Sequence, residues 1–157
     1  AIKTIKKGLS INDASERGYF QLGNAQIMLK NYKSALLAFE KSSNINSKFW
    51  QSINNEGLIL YELNNPKKAI TKFRLALKIS NNPEPMLALA IVLYEINKNN
   101  IESISLANNA LKDNPKYVSM EYQAKQLWGV KLQKAGTLLF QEKEMIEAVK
   151  EAKEKSQ

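Results

Sequence analysis

The 157-residue sequence contains no cysteine and no histidine. The first absence excludes disulfides, thiolate nucleophiles and cysteine metal sites, and leaves the compartment open. The second removes the commonest general base and the commonest zinc ligand. Neither catalysis nor a cofactor or metal site is expected. Glycine is sparse, and Gly8, Gly18, Gly23, Gly57, Gly129 and Gly136 are too dispersed to build a phosphate-cradling loop. No apolar run approaches 18 residues, so no transmembrane segment is expected. The N-terminus lacks the charged-then-apolar layout of a signal peptide, and the expected location is cytoplasmic.

What is present is ordinary globular composition, 44% hydrophobic and 24% charged, enough for one domain with a substantial core. The net charge of +8 is uneven: residues 1–140 hold 19 basic against 10 acidic side chains, whereas the last 17 residues are nearly balanced. Such a surplus serves solubility, and it also offers an alternative function, binding of RNA or an acidic partner.

The dominant feature is a period of 34 residues. Ile2, Leu36, Ile70 and Ile104 keep it from end to end, as do Ala25, Ile59, Leu93 and Leu127. Gly23 and Gly57, Ala35 and Ala69, Phe39 and Phe73, and Ala76 and Ala110 are spaced alike. This period marks stacked units that cannot bury their apolar faces alone. Within residues 16–49, Tyr19, Leu22, Ala25 and Leu29 lie on one helical face, Asn31-Tyr32 interrupts, and Ala35, Leu36, Phe39 and Ser42 resume the pattern. Residues 50–83 repeat this, with Asn65-Pro66 as N-cap and first helical residue. Residues 84–117 form a degenerate third unit, with Ile91, Ser103 and Ala107 in the places of the glycine, alanine and phenylalanine. Its two helices are expected to cross differently. Gly23 and Gly57 sacrifice roughly 1 kcal/mol of helix propensity each, which implies a packing requirement: they let the first helix approach its partner, Ala35 and Ala69 do the same from the second, and Phe39 and Phe73 fill the space beyond.

Tyr19 to Ala25 followed by Ala35 and Phe39, and Gly57 followed by Ala69, Phe73 and Ala76, resemble the tetratricopeptide repeat in length, spacing and residue type. The third unit retains Tyr94, Ala110 and Pro115 of that pattern. The resemblance covers residues 1 to about 117 and implies an all-α fold, a right-handed α-solenoid of antiparallel helix pairs. Residues 1–15 align with the second helix of a preceding, truncated repeat, so a longer parent is expected. That half-repeat would expose Ile2, Ile5 and Leu9 and permit self-association. Residues 118–157 read as a C-terminal cap of one long or two shorter helices, whose Glu/Lys-rich end solvates the open edge. Glu142, Glu144 and Glu147 suit intrahelical pairing there. Trp128 shares the register of Tyr94 and reads as core.

In proteins that the chain resembles, the first helix of each unit lines a concave binding groove. The helical phase opposite the packed stripe puts Arg17, Phe20, Asn24 and Ile27 there from the first unit and Gln51, Asn54, Asn55, Leu58 and Tyr61 from the second. Ala88, Val92 and Glu95 follow from the third, then Tyr122 and Gln126 from the cap. Amides can pair with the main chain of an extended peptide, and the apolar members can receive an anchor. The expected function is therefore a non-enzymatic protein-interaction scaffold or assembly factor, or else a docking module of a longer protein. Some repeats of this kind grip a terminal carboxylate with two Asn and three basic residues. Asn24 and Asn55 match the former, but Phe20, Pro85 and Leu89 hold the basic places, so clamping is not expected. An RNA reader needs a polar ladder at the repeat period, and Asn24, Leu58 and Val92 do not supply one.

Overall fold

A computed structural model describes residues 1–157. It contains ten α-helices and no strand: α1 (Ile2–Ile11), α2 (Glu16–Met28), α3 (Tyr32–Ile45), α4 (Trp50–Glu62), α5 (Pro66–Ile79), α6 (Pro83–Ile96), α7 (Ile101–Asp113), α8 (Met120–Lys125), α9 (Val130–Phe140) and α10 (Ile146–Lys155). Short 3-10 turns at Pro115–Val118 and Lys143–Met145 precede α8 and α10. Helices α2 and α3, α4 and α5, and α6 and α7 form three hairpins, and each hairpin stacks on the next through α3 on α4 and α5 on α6. The result is an all-α array of helical hairpins with capping helices. No helix is long and apolar enough to cross a membrane.

Local chemistry starts and stops these helices where the period requires. Ser15, Asn65, Asn82 and Asn100 each accept a hydrogen bond from a first-turn amide, satisfying one of the donors that a helix start leaves free. At the other end, Lys30 and Asn64 take left-handed backbone with φ 58° and 61°. The amides of Asn31 and Asn65 then reach back to the carbonyls of Gln26 and Leu60, closing the helix by a Schellman turn in both units. The two left-handed residues are themselves one repeat apart.

The glycines do what their spacing implies. A Cβ on Gly23 would lie 2.5 Å from the Phe39 ring, and one on Gly57 would lie 2.6 Å from the Phe73 ring. Both rings are wholly buried, so each glycine is the socket for the phenylalanine of its own hairpin. The third hairpin closes as fully as the others despite its different residues. Ser103, Ala107 and Ala110 are completely buried, and the Ser103 hydroxyl donates to the Ala90 carbonyl at 2.7 Å. Small residues along α7 replace the ring-and-socket contact, and Ile91 instead reaches towards Gly136 of α9.

Two expectations about the ends are corrected. Leu9 is buried, because Gly18 lets its methyl group approach α2, while Ile2 and Ile5 are half-buried. The C-terminal region is three helices rather than one or two. Leu127 adopts φ 66°, and the Trp128 amide returns to the Gln123 carbonyl, so α8 ends in the same Schellman geometry as the repeats. Helix α10 packs on α7 and the following 3-10 turn, at the end of the array. Helix α9 turns back over α4 and α6. Glu142 accepts from the Tyr94 hydroxyl instead of pairing within a helix, and this contact pushes the Tyr94 phenol up to about 12.

Candidate functional site

Helix α9 packs on α4 and α6, over residues that the sequence assigns to the inner face. Leu58, Tyr61, Ala88 and Val92, placed by sequence on an open groove, have at most 1% of their surface exposed. They belong to one core with Leu132, Ala135 and Leu139 of α9. Asn54 is buried as well, and Ile27 lies in a smaller cluster beneath Leu127. Arg17 and Glu95 are exposed, and Glu95 accepts from the Tyr61 hydroxyl.

Polar contacts orient α9 on this face. The Glu62 carboxylate accepts from the Leu132 amide at 3.1 Å, so a residue of α4 caps the start of α9. Gly129 leaves the room, since a Cβ there would overlap that carboxylate. The Lys131 ammonium donates to Asn64 at 2.9 Å and stands 4.3 Å from the centre of the Tyr61 ring. Burial raises the Glu62 carboxyl above its usual range, and the Leu132 and Lys131 amides only partly oppose it. Because the folded value is raised, protonation favours folding. This contribution is complete below the ordinary carboxylate value and disappears as pH rises through the raised one. Glu62→Ala is expected to cost about 1–2 kcal/mol through loss of the cap, and Glu62→Gln to flatten this part of the acid dependence. Urea titrations between neutral and mildly acid pH check both.

What α9 leaves open is a pocket of about 440 Å³ beside α8. It brings together Phe20, Asn24, Gln51, Asn55, Tyr122 and Gln126, six of the residues that the helical phase placed on the inner face. Trp50, Asn82, Glu84, Asn114, Tyr117, Lys125 and Leu127 also line it and were missed by the phase argument. A usable signal existed for two of them. Trp50 and Glu84 stand one repeat apart at the start of their helices, where a side chain faces the rim.

The polar wall is pre-ordered. Asn54 donates to Asn55 at 3.2 Å, and Asn55 donates to Asn24 at 3.1 Å, so three amides from α2 and α4 form a chain. Trp128, buried against Tyr117 at a ring separation of 5.7 Å, donates its indole N–H to Glu84 at 3.1 Å. Burial pushes the Glu84 carboxyl up despite hydrogen bonds from Trp128, Asn54 and Tyr117. Tyr117 and Tyr122 meet edge to face at 5.0 Å, and Phe20 meets Phe49 similarly at 5.3 Å. No group of three or more acidic, cysteine or histidine side chains could hold a metal ion.

The hairpin stack matches solved structures over nearly its whole length. One crystal structure of MamA superposes with a TM-score of 0.70 at 17% identity, covering 98% of this chain and 85% of that one. A thermophilic TPR protein of Thermus thermophilus gives 0.66 at 21% identity, covering 81% and 71%. The chain has the tetratricopeptide-repeat fold. YrrB, a TPR protein with an unusual peptide-binding site, shares that fold with a TM-score of 0.57 at 17% identity, covering 99% of this chain and 92% of YrrB. At these identities the likeness concerns the fold. No family model matches the sequence, and neither does any curated protein. Placing α8 and α9 on the repeat frame shows which part of the tetratricopeptide inner face is still accessible: the end formed by the starts of α2, α4 and α6.

Proposed function

We propose that this tetratricopeptide-repeat chain is a non-enzymatic protein-interaction scaffold that takes a peptide, or an extended segment of a partner protein, in the pocket bounded by α2, α4, the start of α6 and α8. The pocket's lining carries this reading. Amides of Asn24, Gln51, Asn55 and Gln126 stand beside the aromatic groups of Phe20, Trp50 and Tyr122, which suits main-chain pairing together with an apolar or aromatic contact. Ordered amides also reduce the entropy lost on binding. Neither cofactor nor metal enters this reading.

A photo-crosslinking amino acid at Gln51 or Gln126, compared with one at Leu75 on the exposed side of α5, tests it. Irradiation in source lysate is expected to give discrete protein adducts from the two pocket positions and not from Leu75. Adducts arising equally from Leu75, or adducts abolished by nuclease, would defeat the proposal, the latter in favour of nucleic acid.

A further inference from the structure

We infer that this pocket recognises a basic side chain of the bound segment, arginine or lysine, with Glu84 as its counter-ion. The inference rests on the peptide-binding reading above and specifies the chemistry of its anchor.

The first support is charge. The chain as a whole is strongly basic, yet the two ionised side chains that line the pocket do not share that bias. Lys125 is held by Glu121 at 2.8 Å on the exposed side of α8, which neutralises it locally. Glu84 has no cationic partner in any of the chain's ion pairs. Its hydrogen-bond donors are the neutral groups of Trp128, Asn54 and Tyr117. Burial disfavours the charge of an unpaired carboxylate, and a cation entering at the pocket rim would restore it, so Glu84 is placed to gain from a basic ligand.

The second support is the balance of donors and acceptors. Beneath the lining, the side-chain oxygens of Asn54 and Gln123 are buried without any hydrogen-bond partner. Asn54 belongs to the amide chain that reaches Asn55 and Asn24, and the Gln123 amide group is spent on the Tyr117 carbonyl at 2.7 Å. The network is therefore rich in acceptors and short of donors. A guanidinium carries five N–H donors and no acceptor, and an ammonium carries three, so either can donate to the Glu84 carboxylate and to the amide oxygens that line the pocket, whereas a carboxylate ligand would add only acceptors.

The third support is the wall. Phe20, Trp50, Tyr117 and Tyr122 line the same pocket as Glu84. Aromatic faces attract cations and also accommodate the aliphatic stem of lysine or arginine.

The test uses the full chain and pools of immobilised heptapeptides, acetylated and amidated so that only side chains carry charge. The central residue is fixed as Arg, Lys, Leu, Phe, Gln or Glu, and the other positions are randomised. Arg and Lys pools are expected to retain the protein about tenfold better than Leu or Glu pools. Glu84→Gln, which keeps an acceptor for Trp128, should bring the pools to parity. Gln126→Lys, which places a tethered ammonium in the pocket, should do the same without touching the Glu84 contacts, and it carries the test if Glu84→Gln fails to fold. An Arg preference that survives Gln126→Lys overturns the inference, since the acidic group responsible would lie elsewhere. A preference for Leu or Phe that Gln126→Lys abolishes overturns the cationic anchor while leaving the peptide pocket standing. Retention of no pool, together with no adduct from Gln51 or Gln126, overturns both.

Discussion

Phe73→Ala is expected to destabilise the chain by about 3–5 kcal/mol, and Gly57→Ala to change sign in its presence. Phe73 is fully buried, and its ring occupies the space that a Cβ on Gly57 would need. In the wild-type background, an alanine at 57 gains roughly 1 kcal/mol of helix propensity but forces the ring or the helix aside, at a cost of about 1–3 kcal/mol. The net effect should be destabilising. Once the ring is gone the methyl group meets a cavity, and the same substitution should stabilise by up to about 1 kcal/mol. Against a total of about 5–15 kcal/mol for a domain, the single Phe73 change is severe and should lower Tm by roughly 6–20 °C. Urea denaturation of the four proteins in the cycle measures the coupling. A Gly57→Ala variant that is stabilised in both backgrounds would show that the glycine is not a socket.

The second large effect concerns α9. Leu132 and Leu138 are both leucines on that helix, but Leu132 is 0% exposed and Leu138 is 52% exposed. Leu132→Ala is expected to cost about 2–5 kcal/mol, and Leu138→Ala no more than about 0.5 kcal/mol. The contrast arises because Leu132 shares a core with Leu58, Tyr61 and Val92 of the inner face, whereas Leu138 faces away from it. Equal and small effects would mean that α9 does not seat on α4 and α6. The same placement dictates how the pocket can be probed. Truncating Leu58 or Tyr61 would damage the core as well as any binding surface, while Phe20, Gln51 and Gln126 sit at the open end and can be changed with less structural cost.

Much of the repeat frame was legible because its information is local or strictly periodic. The start of α5 follows from Asn65 as cap and Pro66 as first helical residue, and close packing at Gly23 and Gly57 follows from their recurrence with Phe39 and Phe73 at one period; the caps at Asn82 and Asn100 came from the structure. The third hairpin was less legible. Ile91 and Ala107 depart from the pattern, and the sequence did not show that a helix lined by Ser103, Ala107 and Ala110 packs closely on its partner without a glycine opposite. The candidate site was legible in part. Helical phase grouped Phe20, Asn24, Gln51 and Asn55, which line one pocket. Phase alone could not say which inward residues remain open to solvent.

By itself the sequence determined the 34-residue hairpin unit, the number of complete hairpins and the close packing required at Gly23 and Gly57, because each depends on residues within one unit or at a fixed offset between units. The tertiary structure alone decided that α9 lies across α4 and α6. The apolar spacing of α9 shows that one of its faces must be buried, but it does not specify the surface that buries it. That choice depends on contacts such as Glu62 with the Leu132 amide and Glu84 with the Trp128 indole, which join residues 70 and 44 positions apart. These contacts also depend on the left-handed turn at Leu127, an unexpected conformation for leucine, adopted where burial of Trp128 and the returning backbone hydrogen bond offset its strain. The open pocket is the part of the inner face that this long-range packing leaves uncovered.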